Sequence, residues 1–358
     1  MRQNNIHIIS NFSKYRIHHQ NIKGLFLILF FGCLIFATSC KRNKLKVDIS
    51  AIKNNIEIVH FTDELFDLDT TNLTQSLTNF SNKYPDFFDL FTYRIIRIGG
   101  IADSGFVDLM HQFLTDTMIL NVNKLVGEEF GDFVETEKKL NKAFKYYQYH
   151  FPNKMLPKIY IYTSGFNQSV VTAQNIIGIS LDKYLGSDCP YYKMLNSTPA
   201  YKAKNMHKNK ITSDVIYAWA ASDYEISENS TTLLDNMIYQ GKLMYFVDAM
   251  LPDEEDSLKI GFTSDQIKWC RNNEAQMWSQ LIERNMLYSN QRMDIIRYIN
   301  PSPTTSGFPL ESPGRTGVWI GWQIVRKYMD KFPETSLADL MTNNDYQQIL
   351  NDSAYFPD

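Results

Sequence analysis

The sequence predicts a helix-rich α+β protein, mostly α, with one small sheet. Three observations carry that expectation. The 358 residues are 44% apolar and 14% aromatic with 21% charged, a balance that suits a folded core and argues against a disordered chain. Helical patterns, with apolar residues three and four apart, dominate the sequence. Only three short stretches are β-branched and aromatic runs of strand length. Length allows two domains, but one larger domain fits as well.

Residues 1–39 read as an address. They hold Arg2, Lys14, Arg16 and Lys23 and no Asp or Glu, so their removal takes the formal charge from −3 to −7. An almost unbroken apolar run from Leu25 to Thr38 follows, the length of a signal-peptide core and short of the ~20 residues that span a bilayer. It ends in Ala37-Thr38-Ser39-Cys40, small residues before a cysteine. That junction resembles the lipobox of bacterial lipoproteins, which makes Cys40 the predicted lipidation site; an ordinary secretory signal with an incidental Cys is the alternative. Residues 40–55 are then a lipidated N-terminus and polar tether, and residues 56–358 a single domain. The mildly acidic body excludes general nucleic-acid binding, which needs a basic face.

Along that body, Ile56–Phe61 alternates weakly and reads as a strand. Helices are expected from there on. Asp132 precedes a segment to His150 whose Phe133, Leu140, Phe144 and Tyr147 share one face, with Pro152 as the stop. Ile159–Tyr162 and Asn175–Leu181 read as strands and suggest a hairpin. Helical patterns return at Thr212–Tyr224, Thr231–Met250, Ser264–Arg284 with Ser264 as N-cap, Asn290–Ile299, Thr316–Asp330, Ser336–Met341 and Asn344–Leu350. The loop Pro301–Arg315 (PSPTTSGFPLESPGR) is long enough for a functional role, against the plainer reading of a rigid connector.

Signatures of known chemistry are missing. No H-E-x-x-H places two His on one helical face to grip zinc, and His60, His111, His150 and His207 are too far apart in sequence to form such a pair. G-x-S-x-G, Walker A and G-x-G-x-x-G are absent too. Asp253-Glu254-Glu255-Asp256 lacks the Gly and Glu of an EF-hand and reads as a solvated turn. Gly317 and Gly321 lie one turn apart, which suits close approach of another backbone, since an interior helical Gly costs ~1 kcal/mol against Ala. With Cys33 in the signal and Cys40 lipidated, Cys189 and Cys270 remain, either as a disulfide or as two buried thiols.

A resemblance rests on an ordered set of short motifs. Tyr184-Leu185-Gly186, Met237-Ile238-Tyr239-Gln240-Gly241-Lys242, Ile267-Lys268-Trp269-Cys270 with Asn273-Glu274, and Ser312-Pro313-Gly314-Arg315-Thr316-Gly317 leading into Trp319-Ile320-Gly321-Trp322 are similar to the gliding-motility lipoprotein GldB family. The likeness runs from Cys40 to Tyr355-Phe356-Pro357. It implies a relative of predicted zinc-dependent peptidases, zincin-like in fold, in which a second helix carries Glu-Gly. Here Gln240-Gly241 stands at that place, and the helix Ile211–Glu225 has no His. The resemblance therefore implies a scaffold that has lost its metal site, with no catalytic residue, metal or cofactor. Asp214, Gln240, Gly241, Lys242, Arg315 and Trp319 are the positions at which a degenerate cleft or binding site is expected. The function implied is a membrane-anchored periplasmic accessory of the gliding apparatus and its linked secretion system, touching other proteins of that machinery. A hydrolase using an unrecognised site in the old cleft is the alternative.

Overall fold

The computed structural model describes residues 43–53, 55–131 and 133–357. Of the two compact units, the first is described only over Asn43–Lys46, where the Lys46 amide closes a turn on the Asn43 carbonyl (3.0 Å). The body, Val47–Asp358, is helix-rich with a four-stranded sheet.

Strand β1 (Glu57–His60) pairs in parallel with β2 (Lys158–Tyr162), Ile58 opposite Ile159. Strand β2 pairs in parallel with β4 (Ile176–Ser180), and β3 (Val170–Ala173) closes the edge antiparallel to β4. The sheet order is β1-β2-β4-β3. Strand β4 is buried throughout and β2 over Ile159–Tyr162, as near-continuous apolar runs at the centre of a parallel sheet should be. The expected hairpin between the two is thus corrected. They run the same way, which takes a crossover of about a dozen residues rather than a tight turn. Residues 163–175 supply it and include the unforeseen β3. The tight turn is at Gln174-Asn175, where Asn175 adopts φ 56°.

Helices α1 (Phe61–Phe66), α2 (Leu73–Lys83) and α3 (Pro85–Asp89), the last continuing into a π turn at Leu90–Ile95, bring an aromatic cluster onto this sheet. Phe87 stacks on Tyr160 at 4.2 Å and 3°, and Phe61 meets Phe87 edge-on at 4.7 Å. Helices α4 (Phe106–Thr115) and α5 (Thr117–Phe130) follow, the second capped by the Asp116 carboxylate. Helix α6 (Val134–His150) buries Leu140, Phe144 and Tyr147 as its period predicts; its expected leader, Asp132, lies outside the described residues.

The C-terminal half is built on α8 (Ile211–Asp223), α9 (Leu233–Met250) and α14 (Thr316–Lys331), reached through the short α7 (Ala200–Ala203). Between α9 and α14 lie α10 (Asp256–Ile260), α11 (Ser264–Asn272), α12 (Glu274–Glu283) and α13 (Arg292–Ile299), and α15 (Leu337–Thr342) and α16 (Tyr346–Ser353) close the chain. Several boundaries move by a few residues, and two departures have a visible cause. Thr263, not Ser264, is the N-cap, since its extended backbone lets its hydroxyl take the Gln266 amide (3.2 Å) while Gln266 Oε1 takes its own (3.0 Å). The expected helix 264–284 breaks at Asn273, whose Nδ2 caps the Trp269 carbonyl at 2.8 Å, freeing Glu274 to start a new axis.

Helices α9 and α14 cross at glycine. A Cβ on Gly321 would lie 1.8 Å from the Met237 carbonyl oxygen, and one on Gly241 would lie 2.2 Å from that of Gly321. The close approach expected of Gly317 and Gly321 thus belongs to Gly321 with Gly241; Gly317 faces Tyr298 instead. Near the C-terminal end of α9, the buried Asp248 carboxylate accepts from Lys259 Nζ (2.8 Å), Trp322 Nε1 (2.8 Å) and Arg326 Nε (2.7 Å). Arg326 also forks onto Asp256 at 2.7 and 3.0 Å. The acidic cluster is therefore not wholly a solvated turn: Asp256 is drawn into the fold because Arg326 answers it. Cys189 and Cys270 are separate buried thiols, the second pushed up by burial.

Candidate functional site

A cleft of about 820 Å³ opens between the sheet end and the helical half. Its walls come from the segment before β3 (Asn167–Ser169), the 3-10 turn Leu181–Tyr184, the chain around α7, the first turn of α8, the α10–α11 connection and both arms of the proline-rich loop. That loop thus lines the cleft with both of its ends. Its arms are drawn together where a Cβ on Gly314 would lie 2.3 Å from the Ser302 carbonyl oxygen.

Asp214 stands on the cleft wall, already engaged. Lys210 Nζ lies 2.7 Å from its carboxylate and the Tyr184 hydroxyl donates to it at 3.0 Å. Lys210 is itself buried and held by Ser213 Oγ (2.8 Å) and the Lys259 carbonyl (3.1 Å). Burial, with Asp214 beside it, pushes the Tyr184 phenol well above its ordinary range.

Arg315 forms the opposite wall. Its backbone is left-handed, φ 60°, at the start of α14, and its Nη1 donates to the Ile260 carbonyl at 3.1 Å. The Tyr217 hydroxyl lies beside the guanidinium and donates to Gln240 Oε1. Burial raises the Tyr217 phenol despite the opposing guanidinium. Neither Gln240 nor Tyr217 lines the cleft, and the Gln240 amide oxygen is spent on a protein hydroxyl.

The other expected positions lie elsewhere. Gly241 is the helix crossing. Lys242 is buried, donates to the Asn343 carbonyl at 2.7 Å over the Tyr346 ring, and is pulled down to about 8 by burial. Trp319 is core, its Nε1 donating to Glu274 at 3.0 Å. Gly241 and Lys242 follow Gln240 directly in sequence, but successive residues on a helix point to different sides, and Trp319, on α14, turns into the core.

Sequence reasoning missed Lys183, Lys202, Lys204 and His207, which also line the cleft. A signal existed: between Asp188 and Asp214 the chain has five lysines and no carboxylate. Lys208 and Lys210 are spent on Glu129 and Asp214, whereas Lys183, Lys202, Lys204 and Arg315 make no ion pair among the described residues. The histidines are dispersed: His60 meets Asp63 at the surface, and His150 is half-buried, its enclosed Nε2 without a partner among the described residues and the ring lowered to about 4 by burial. Among the described residues no three His, Cys, Asp or Glu side chains gather as a metal site would need. Cys40 lies outside the described residues, and no described helix is long and apolar enough to cross a membrane.

Fold and cleft define a helix-rich α+β protein with an open, cation-lined groove whose one wall carboxylate, Asp214, is already bonded from within. The family model of gliding motility protein GldB matches residues 42–357, and the chain belongs to that family of gliding-motility lipoproteins. No curated protein and no solved structure matches it.

Proposed function

We propose that the chain is a non-catalytic accessory of the gliding apparatus and of the secretion system linked to it, its body periplasmic and held to a membrane through lipid on Cys40. Several acyl chains on one cysteine make a stable anchor where a single chain is marginal. The fold is a peptidase-like scaffold, related to zincins, whose chemistry has been given up. The observation that carries this reading is the condition of the two positions where a metal would be held. Asp214 is bonded to Lys210 and Tyr184, and Gln240 to Tyr217. A neutral amide is a poor zinc ligand, and without two imidazoles or an adjacent Glu neither metal affinity nor a general base is supplied.

The test combines fractionation with metal analysis. Cys40→Ser should leave the membrane fraction or accumulate as precursor, and cells lacking the gene should not glide. Untagged protein should hold well under one zinc per chain, leave peptides intact and keep its Tm in chelator, because a bound metal would add to stability. Stoichiometric metal with a Tm that falls on stripping would replace this reading with the hydrolase alternative.

A further inference from the structure

Four cations line the cleft, Lys183, Lys202, Lys204 and Arg315, against the single carboxylate of Asp214, which Lys210 already neutralises. The chain from Cys40 onward carries a net −7, so this concentration of positive charge is local and opposed to the molecule's overall sign. Their settings differ. Arg315 is fixed in its wall by the Ile260 carbonyl and the left-handed turn, Lys183 is half-buried with Nζ near the Phe166 carbonyl (3.3 Å), and Lys202 and Lys204 stand exposed on and just after α7. A rigid guanidinium in one cleft with flexible ammoniums suits anionic groups spaced along one ligand.

We infer that the cleft binds a polyhydroxylated anion, a sugar carrying carboxylate or phosphate groups, with Arg315 gripping one anionic group and Lys202 and Lys204 another. The inference deepens the non-catalytic reading by naming what the groove would hold. Its volume falls within the ~300–1,000 Å³ of small-molecule sites and is far larger than one inorganic ion needs. Peptide modes fit less well. A peptide strand needs a sheet edge and a peptide helix needs an apolar groove. Strand β3 does not line the cleft, and the apolar side chains of the cleft, such as Met206, Ile260, Phe262 and Pro313, share its walls with Lys183, Lys202, Lys204 and Arg315, so no purely apolar groove is offered to a helix. The polar side chains of Gln168, Ser197 and Thr198 along the walls suit hydroxyls.

The experiment is calorimetric titration of the full-length lipidated protein in detergent with trigalacturonate, glucose 1,6-bisphosphate, neutral maltotriose, inorganic phosphate and hexaglutamate. At least one anionic sugar should bind tenfold or more tightly than maltotriose or phosphate, and weaken steeply with salt. Trigalacturonate as the tighter ligand would indicate a carboxylated glycan, and the bisphosphate a phosphorylated sugar. The K202E/K204E pair, on exposed side chains, should cut affinity tenfold or more at unchanged Tm, and Arg315→Gln further, while K138E/K139E on α6 should not. No binding by either anionic sugar, equal binding of maltotriose, preference for hexaglutamate, or an equal loss in K138E/K139E would overturn the inference. Cleavage of a bound sugar would instead overturn the non-catalytic reading and leave the anion site standing.

Discussion

The α9–α14 crossing and the cleft treat charge and space in opposite ways. At the crossing, glycines bring backbones into contact, and the buried Asp248 is answered by the buried Lys259 and the half-buried Arg326. In the cleft, cations are left without carboxylate partners over open volume. A buried charge must be paired or it costs several kcal/mol, whereas a charge facing water in a groove stays solvated until a ligand arrives. The first arrangement is therefore a device for holding the fold. The second tolerates charge that the fold itself does not use.

Substitutions should separate the two regions by size of effect. Gly321→Val should cost the most, several kcal/mol or the folded state itself, because the clash at 1.8 Å is with rigid backbone and the helices would have to part. Gly127, exposed on α5, has open space where a Cβ would stand, with nothing within 4 Å; Gly127→Ala there should raise stability by ~1 kcal/mol through helix propensity alone. Urea unfolding of both variants checks the opposite signs. If Gly321→Val unfolds like the wild type, the crossing is not what holds these helices.

Asp248→Ala should lose about 3–5 kcal/mol, leaving Lys259 and Trp322 Nε1 without their partner and Arg326 with Asp256 only. Thermal unfolding would read this as a large drop in Tm, and a loss under ~1 kcal/mol would mean the network is solvated.

Lys242 lies in the crossing region but, among the described residues, meets the Asn343 carbonyl and the Tyr346 ring rather than a carboxylate. Burial lowers it to about 8, against ~10.4 in an unfolded chain. Between those values the unfolded chain binds the extra proton, so stability should rise with pH there. Relative to Lys242→Met, the wild type should gain about 2 kcal/mol between pH ~8 and ~10. Unfolding titrations across that range would show parallel curves if the ammonium were solvated.

The smallest effect belongs to the cleft. Lys202 and Lys204 are exposed and unpaired, so reversing both charges should move stability by under ~0.5 kcal/mol. A clear stabilisation would indicate that their repulsion strains the fold.

Part of this was legible in the sequence because it depends on neighbours along the chain. The face of α6, the existence of α9, the proline-rich loop and the need for space at Gly321 all follow from period and propensity, which one turn of helix records. The Asn273 break depended on where Glu274 finds Trp319 and Tyr355. The direction of β2 against β4 depended on a crossover that no local pattern fixes. Likewise, a glycine announces space but not its occupant, and Gly241 became the partner of Gly321 only when the helices met. The cleft is the extreme case. The lysine-rich stretch before Asp214 was visible, but the meeting of Lys183, Lys202, Lys204 and Arg315 joins segments more than a hundred residues apart, and only tertiary packing brings such separated charges to one wall.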